Sequence, residues 1–133
     1  MGGEKTQQGQ QLRLDGTRVL LVEDEFYIAD DIRKTLLNAG ASVVGPISTV
    51  EQAVQAVEAD DFDCAIIDLN LHGNSAAPVA ERLFALGRSF AIATGYGSGE
   101  VPPHLNAVPR IEKPFGPPAV LQLLSQLSCA KVA

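Results

Sequence analysis

The sequence predicts an α/β domain built on a parallel sheet. Three observations predict it: short apolar runs rich in β-branched residues, amphipathic segments of helical period between them, and polar residues where the apolar runs end. The 133 residues suit one domain with a substantial core. Residues 1–15, rich in Gln and Gly, read as a flexible tail, and residues 16–130 as the folded domain.

The first strand, Arg18 to Val22, is continuously apolar after its arginine, as a strand covered on both faces should be, and it runs into Glu23-Asp24. A helix follows with Ile28, Ile32 and Leu36 on one face and Gly40 as its stop. The second strand covers about Ser42 to Ile47. Ser48-Thr49-Val50-Glu51 then reads as a capping box opening a helix whose inner face carries Val50, Ala53, Val54 and Val57. The third strand, Cys64 to Ile67, leads straight into Asp68, and a loop from Asn70 to Asn74 precedes a helix holding Val79, Leu83 and Phe84, closed by Gly87. The fourth strand is about Phe90 to Ala93. Where the alternation next asks for a helix, residues 95–103 hold three glycines and two prolines, so that helix should be short, late or missing. The fifth strand, Val108 to Glu112, precedes Lys113-Pro114-Phe115. Pro117 and Pro118 suit the first turn of a last helix bearing Val120, Leu121, Leu124 and Leu127.

Composition narrows the function. A formal net charge of −6 with no Lys/Arg cluster argues against nucleic acid and anionic lipid as partners and leaves proteins or a small cation. No stretch has the length of a membrane span and the N-terminus lacks an apolar signal core, so the expected location is the cytoplasm. Cys64 and Cys129 sit in apolar stretches and read as a buried, reduced pair.

In an open parallel sheet, ligands bind beyond the carboxyl ends of the strands. Four strand ends deliver polar groups there: Glu23 and Asp24, Asp68, Thr94, and Lys113. Carboxylates gathered this way repel one another unless some are protonated or a cation sits among them. Mg²⁺ suits such a site, because it takes few carboxylates, keeps several waters and welcomes a phosphate oxygen. A lysine opposite the metal adds a second positive charge for a transferring phosphoryl group, Thr94 has a hydroxyl to donate, and Asp68 is the central nucleophile.

The acidic pair Glu23-Asp24, Asp68 ending an Ile-Ile strand, Thr94 after Ala93, and Lys113-Pro114-Phe115 resemble the receiver domain of two-component response regulators, over residues 17–129. The resemblance implies a flavodoxin-like, doubly wound five-stranded parallel sheet of order 2-1-3-4-5. It implies that Asp68 accepts phosphate from a histidine kinase or a histidine phosphotransfer protein and that signalling proceeds through protein contacts. It further implies that Asp24 and Asp68 bind Mg²⁺ directly, Asn70 through its backbone carbonyl and Glu23 through water, while Lys113 contacts the phosphoryl group and Thr94 moves toward it. A phosphate shuttle or sink, or an aspartyl-phosphate phosphatase, are the alternatives; the phosphatase usually needs an acid two residues past the nucleophile, where this chain has Asn70.

The pattern departs from the common receiver in three places. Arg110 stands where an aromatic usually rotates, three residues before the lysine, and Leu71-His72-Gly73 replaces a frequent Met-Pro pairing. Ala93-Thr94-Gly95-Tyr96-Gly97 is similar instead to the Phe-Ala-Thr-Gly-Tyr-type single-domain receivers of alphaproteobacteria, which are associated with HWE-type kinases. Tyr96 is therefore expected to take over the switching role, with the Gly/Pro-rich segment ordering when phosphate arrives.

Overall fold

The computed structural model describes residues 13–95 and 101–127. Its main sheet has five parallel strands, β1 (Arg18–Val22), β2 (Ser42–Ile47), β3 (Cys64–Asp68), β6 (Ser89–Thr94) and β7 (Arg110–Glu112). They lie in the order β2-β1-β3-β6-β7. Among the described residues four helices flank the sheet: α1 (Phe26–Asn38), α2 (Val50–Ala59), α3 (Ala77–Ala85) and α4 (Pro117–Ser125). The predicted doubly wound sheet and its strand order are what the chain adopts.

The central strands show why. Successive side chains of a strand face opposite ways, and in β1 both sets are apolar: Val19 and Leu21 pack with Ile32 and Leu36 of α1 and Leu123 and Leu124 of α4. Leu20 and Val22 pack with Ala53 and Val57 of α2 and Val79 and Leu83 of α3. Every residue of β3 is buried, so Asp68 is carried to the sheet's carboxyl edge by a strand clamped on both sides.

Several details differ from expectation. Packing begins before residue 16, because Leu14 is fully buried in the α1/α4 layer and its N–H donates to the Ala39 carbonyl at 2.7 Å. The cap of α2 is Thr49, whose hydroxyl accepts from Gln52 N–H at 3.2 Å, so the helix starts one residue later than a box beginning at Ser48. Residues 70–75 form not a plain loop but a short antiparallel ladder, β4 (Asn70–Leu71) with β5 (Asn74–Ser75). Phe84 is 51% exposed and meets the His104 ring edge-on at 5.6 Å instead of entering the core. In α4 the core position is Leu123, with Leu121 only partly covered. The last strand is limited to Arg110–Glu112.

The described residues of the β6–β7 connection follow expectation. Between β6 and β7 the described residues hold a single 3₁₀ turn, Pro103–Leu105. Leu105 is fully buried against the α2/α3 layer, and His104 Nε2 lies 2.6 Å from Glu81 Oε1 on α3, so side-chain contacts hold this stretch together with the turn's own backbone bonds, such as Leu105 N–H to the Pro102 carbonyl at 2.9 Å.

Cys64 is disulfide-bonded, which overturns the expectation of a reduced pair. Cys64 opens β3 in the same core cluster as Leu124 and Leu127, so the fold brings the start of β3 beside the end of α4, a juxtaposition the spacing of residues along the chain does not reveal. The chain's other cysteine, Cys129, lies outside the described residues. No described helix is long and apolar enough to cross a membrane.

Candidate functional site

The carboxyl edge of the sheet gathers the predicted groups around one ammonium. Lys113, directly after β7, places Nζ 2.8 Å from Asp68 Oδ2, 3.0 Å from Glu23 Oε2 and 3.0 Å from Glu25 Oε1. The backbone sets this position: Lys113 N–H donates to the Thr94 carbonyl at 2.7 Å, which extends the β6/β7 ladder by one residue, and the Lys113-Pro114 peptide is cis. Gly95 lies beside the lysine stem, and a Cβ there would be in ordinary van der Waals contact, 3.4 Å from Lys113 Cδ.

Asp68 and Glu23 are buried, with side chains 4% and 1% exposed, and the Lys113 side chain is 10% exposed. Asp68 Oδ1 accepts from Asn70 N–H at 2.9 Å, so both of its oxygens are held. Burial pushes the Glu23 carboxyl up to about 7, against the hydrogen bonds from Lys113 and from Glu25 N–H that pull it down. For Lys113, burial disfavours the ammonium, but Asp68, Glu23 and Glu25 outweigh it and hold its pKa above the ordinary lysine value. The lysine is therefore a permanent cation, whereas burial favours the neutral form of the Glu23 carboxyl.

Asp24 and Asn70 line a cavity with Asp68, Glu25, His72, Gly73, Gly95 and Lys113. Asp24 Oδ2 accepts from His72 N–H at 2.8 Å and lies 3.4 Å from His72 Nδ1. His72 has φ +53°, and Gly73 N–H caps the turn by donating to Asn70 Oδ1 at 2.8 Å. The tight β4/β5 ladder thus ties the segment after Asp68 to the end of β1.

Thr94 ends β6 at the same edge, and its hydroxyl donates to the Ile111 carbonyl at 3.4 Å. Tyr96 lies outside the described residues. Arg110 is exposed at the start of β7. The fold therefore joins Glu23, Asp68 and Lys113 by direct contact and sets Asp24 and Asn70 on the shared cavity.

The donor set fits a hard divalent cation. Glu23, Glu25 and Asp68 each offer a carboxylate oxygen within 4.8 Å of the others. Glu23 Oε1 is buried and accepts no hydrogen bond, although Lys113 Nζ stands 2.9 Å away as an ion-pair partner. Oxygen-only donors beside an open polar cavity are what Mg²⁺ accepts. Two participants escaped the sequence reading. Glu25 was hidden among acidic neighbours, and its reach to Lys113, 88 residues away, is set by the fold alone. His72 acts through a backbone N–H, which any residue type supplies.

No protein-family model and no curated protein matches the chain. Among solved structures, SdrG from Sphingomonas melonis Fr1 is 37% identical, with a TM-score of 0.76, aligned over 84% of this chain and 95% of SdrG. PhyR from Brucella abortus is 27% identical with a TM-score of 0.75 over 92% of this chain and 52% of its own, so the chain spans about half of PhyR. The signal receiver domain of a LuxO repressor protein from Vibrio parahaemolyticus is 26% identical with a TM-score of 0.70, over 86% of this chain and 89% of that domain. A buried aspartate at the end of the central strand, a lysine bonded to it from the last strand, and 37% identity across nearly all of a single-domain receiver lead to one conclusion: the chain belongs to the response regulator receiver family.

Proposed function

We propose that the chain is a phosphoaccepting receiver that takes a phosphoryl group on Asp68 from the phosphohistidine of a kinase or phosphotransfer protein and signals through protein contacts. The observation that carries this reading is the 2.8 Å contact between Lys113 Nζ and Asp68 Oδ2 at the mouth of an acidic cavity. In the transfer, an Asp68 oxygen forms a bond to phosphorus, the phosphorus–nitrogen bond of the donor breaks, and its electron pair stays on that ring nitrogen, the proton already carried by the ring's other nitrogen leaving the departing imidazole neutral. Lys113 is placed to neutralise charge on the phosphoryl oxygens. Asp24, Asp68 and the Asn70 carbonyl would hold Mg²⁺, with Glu23 behind a water; when bound, the ion neutralises charge on the transferring group.

Turnover of a separate substrate is not part of this reading. Asn70, two residues past Asp68, has no proton to exchange, and its side-chain oxygen is engaged by Gly73 N–H. For the readout we assign Thr94 and Tyr96, with residues 101–109 following them, because Thr94 Oγ1 at 3.4 Å from Ile111 O is weakly held and free to be redirected. PhyR from Bartonella quintana is described as an anti-anti-sigma factor; by analogy the output here is a protein. Incubation with Mg²⁺ and a small phosphodonor, followed by intact-mass measurement, is expected to add one phosphoryl group to the wild type and none to Asp68→Asn. A wild type that gains nothing, from the small donor or from a histidine kinase, would overturn the reading.

A further inference from the structure

Glu25 has no part in the transfer just described, yet it is one of three carboxylates on Lys113. An ammonium has three N–H donors, and here Asp68, Glu23 and Glu25 take one each, at 2.8, 3.0 and 3.0 Å. The three are not equivalent. Asp68 and Glu23 are buried, whereas the Glu25 side chain is 59% exposed. Glu25 also occupies the cap position of α1 with extended backbone, φ −83° and ψ 115°, where a side chain ordinarily accepts from the helix N–H groups, but its carboxylate makes no capping bond. Its carboxylate reaches across to β7 and forms one wall of both the cavity over Asp68 and the adjoining groove along Ile28, Lys113 and Phe115.

We infer that Glu25 is a positioning residue: in the resting site its carboxylate stands in for the phosphoryl oxygen, holding the outermost donor of Lys113 toward the mouth, and it yields that donor when the anion arrives. The inference rests on the reading of Asp68 as acceptor. Of the three partners only Glu25 can leave at small cost, since an exposed ion pair exchanges for water readily whereas a buried carboxylate stripped of its partner cannot. It follows that Glu25 competes with the incoming anion. Removing its charge should tighten anion binding, and keeping the charge on a shorter side chain should restore most of the competition.

Beryllofluoride with Mg²⁺ is the probe, titrated into the full chain and followed through the backbone amides of Gly95 and Lys113 by NMR, with thermal unfolding recorded in parallel. The half-saturating concentration for Glu25→Gln is expected to fall about two- to fivefold, the size of one exposed ion pair, and Glu25→Asp to return toward the wild type. An unchanged value for Glu25→Gln, with unfolding alone shifted, makes Glu25 merely structural and overturns the inference. A raised value cured by excess Mg²⁺ makes it a cation ligand and also overturns it. A wild type that neither binds beryllofluoride nor gains a phosphoryl group overturns the Asp68 reading and this one together, whereas normal wild-type binding beside an unchanged Glu25→Gln removes only the role of Glu25.

Discussion

Lys113 carries two duties at once, and they pull on the same atom. Its ammonium compensates two carboxylates that the strands have buried, Asp68 and Glu23, and it is the donor that a phosphoryl oxygen would need. Replacing it by alanine removes the compensation without removing the burial. Breaking a buried ion pair by deleting one partner costs roughly 3 kcal/mol. We therefore expect Lys113→Ala to unfold at lower urea than the wild type at pH 7.5 in the absence of Mg²⁺, and to recover part of that loss at pH 5.5, where Glu23 takes up a proton. An equal loss at both pH values would show that the penalty comes from packing of the lysine stem and not from the stranded charge. The test separates the lysine's structural duty from its chemical one, because Asp68→Asn, which also removes a charge, relieves repulsion instead of exposing it.

The elements show which features can be read from a sequence. The central strands were legible because both of their faces are apolar, and a continuous run such as Val19 to Val22 has few other interpretations. That no α-helix lies among the described residues between β6 and β7 was legible because glycine and proline oppose helix formation locally. What was not legible depended on tertiary contact: Phe84 meets His104 instead of the core, Leu14 packs before the apparent start of the domain, and Cys64 finds a disulfide partner. Thr94 and Lys113 were placed at the sheet edge by type and position, but the bond of the Thr94 hydroxyl to the Ile111 carbonyl depends on the strand beside it. Edge strand β2 contains Gly45-Pro46, and the place of these residues has a geometric cause. The register against β1 slips between Leu20 and Val22; proline is tolerated at such an edge. Gly45 takes φ +115°, and a Cβ there would sit 2.6 Å from the Leu21 carbonyl oxygen. Glycine is thus required twice, by conformation and by space. Gly45→Ala should destabilise by more than about 1 kcal/mol, measured by chemical denaturation. Glu23 and Asp24, which are proposed to hold Mg²⁺, directly follow β1, so the same variant should weaken Mg²⁺ binding, whereas an unperturbed variant would mean that the slip relaxes without cost.

The molecule as a whole gathers Glu23, Asp24, Glu25 and Asp68 at one edge of a chain whose formal charge is already −6, and this makes its stability depend on pH in an unusual sense. Glu23 has its folded pKa raised from 4.5 to about 7. A raised pKa means that between these values the folded state keeps a proton that the unfolded state releases. Its contribution is therefore complete below pH 4.5 and is lost as pH rises through 7. Lys113, also raised, contributes below the ordinary lysine pKa and changes nothing across this window. Asp30 and Glu58, hydrogen-bonded to Lys34 and Arg33 and to Arg82 respectively, have lowered pKa values, so their small surface contributions are present at neutral pH and disappear only as pH falls below the usual carboxylate range. The metal-free chain should accordingly be most stable near pH 5 and lose on the order of 1 to 3 kcal/mol between pH 5 and 7.5. Mg²⁺ opposes this loss because a cation among the carboxylates favours their charged forms, so saturating Mg²⁺ should flatten the profile and chelation should restore it. Glu23→Gln, which cannot ionise, should flatten it with or without the metal. Thermal unfolding of both proteins from pH 5 to 7.5, with Mg²⁺ and with a chelator, provides the check. A wild-type midpoint that holds constant across this range without metal would mean that Glu23 is ionised throughout and that Lys113 alone satisfies the site.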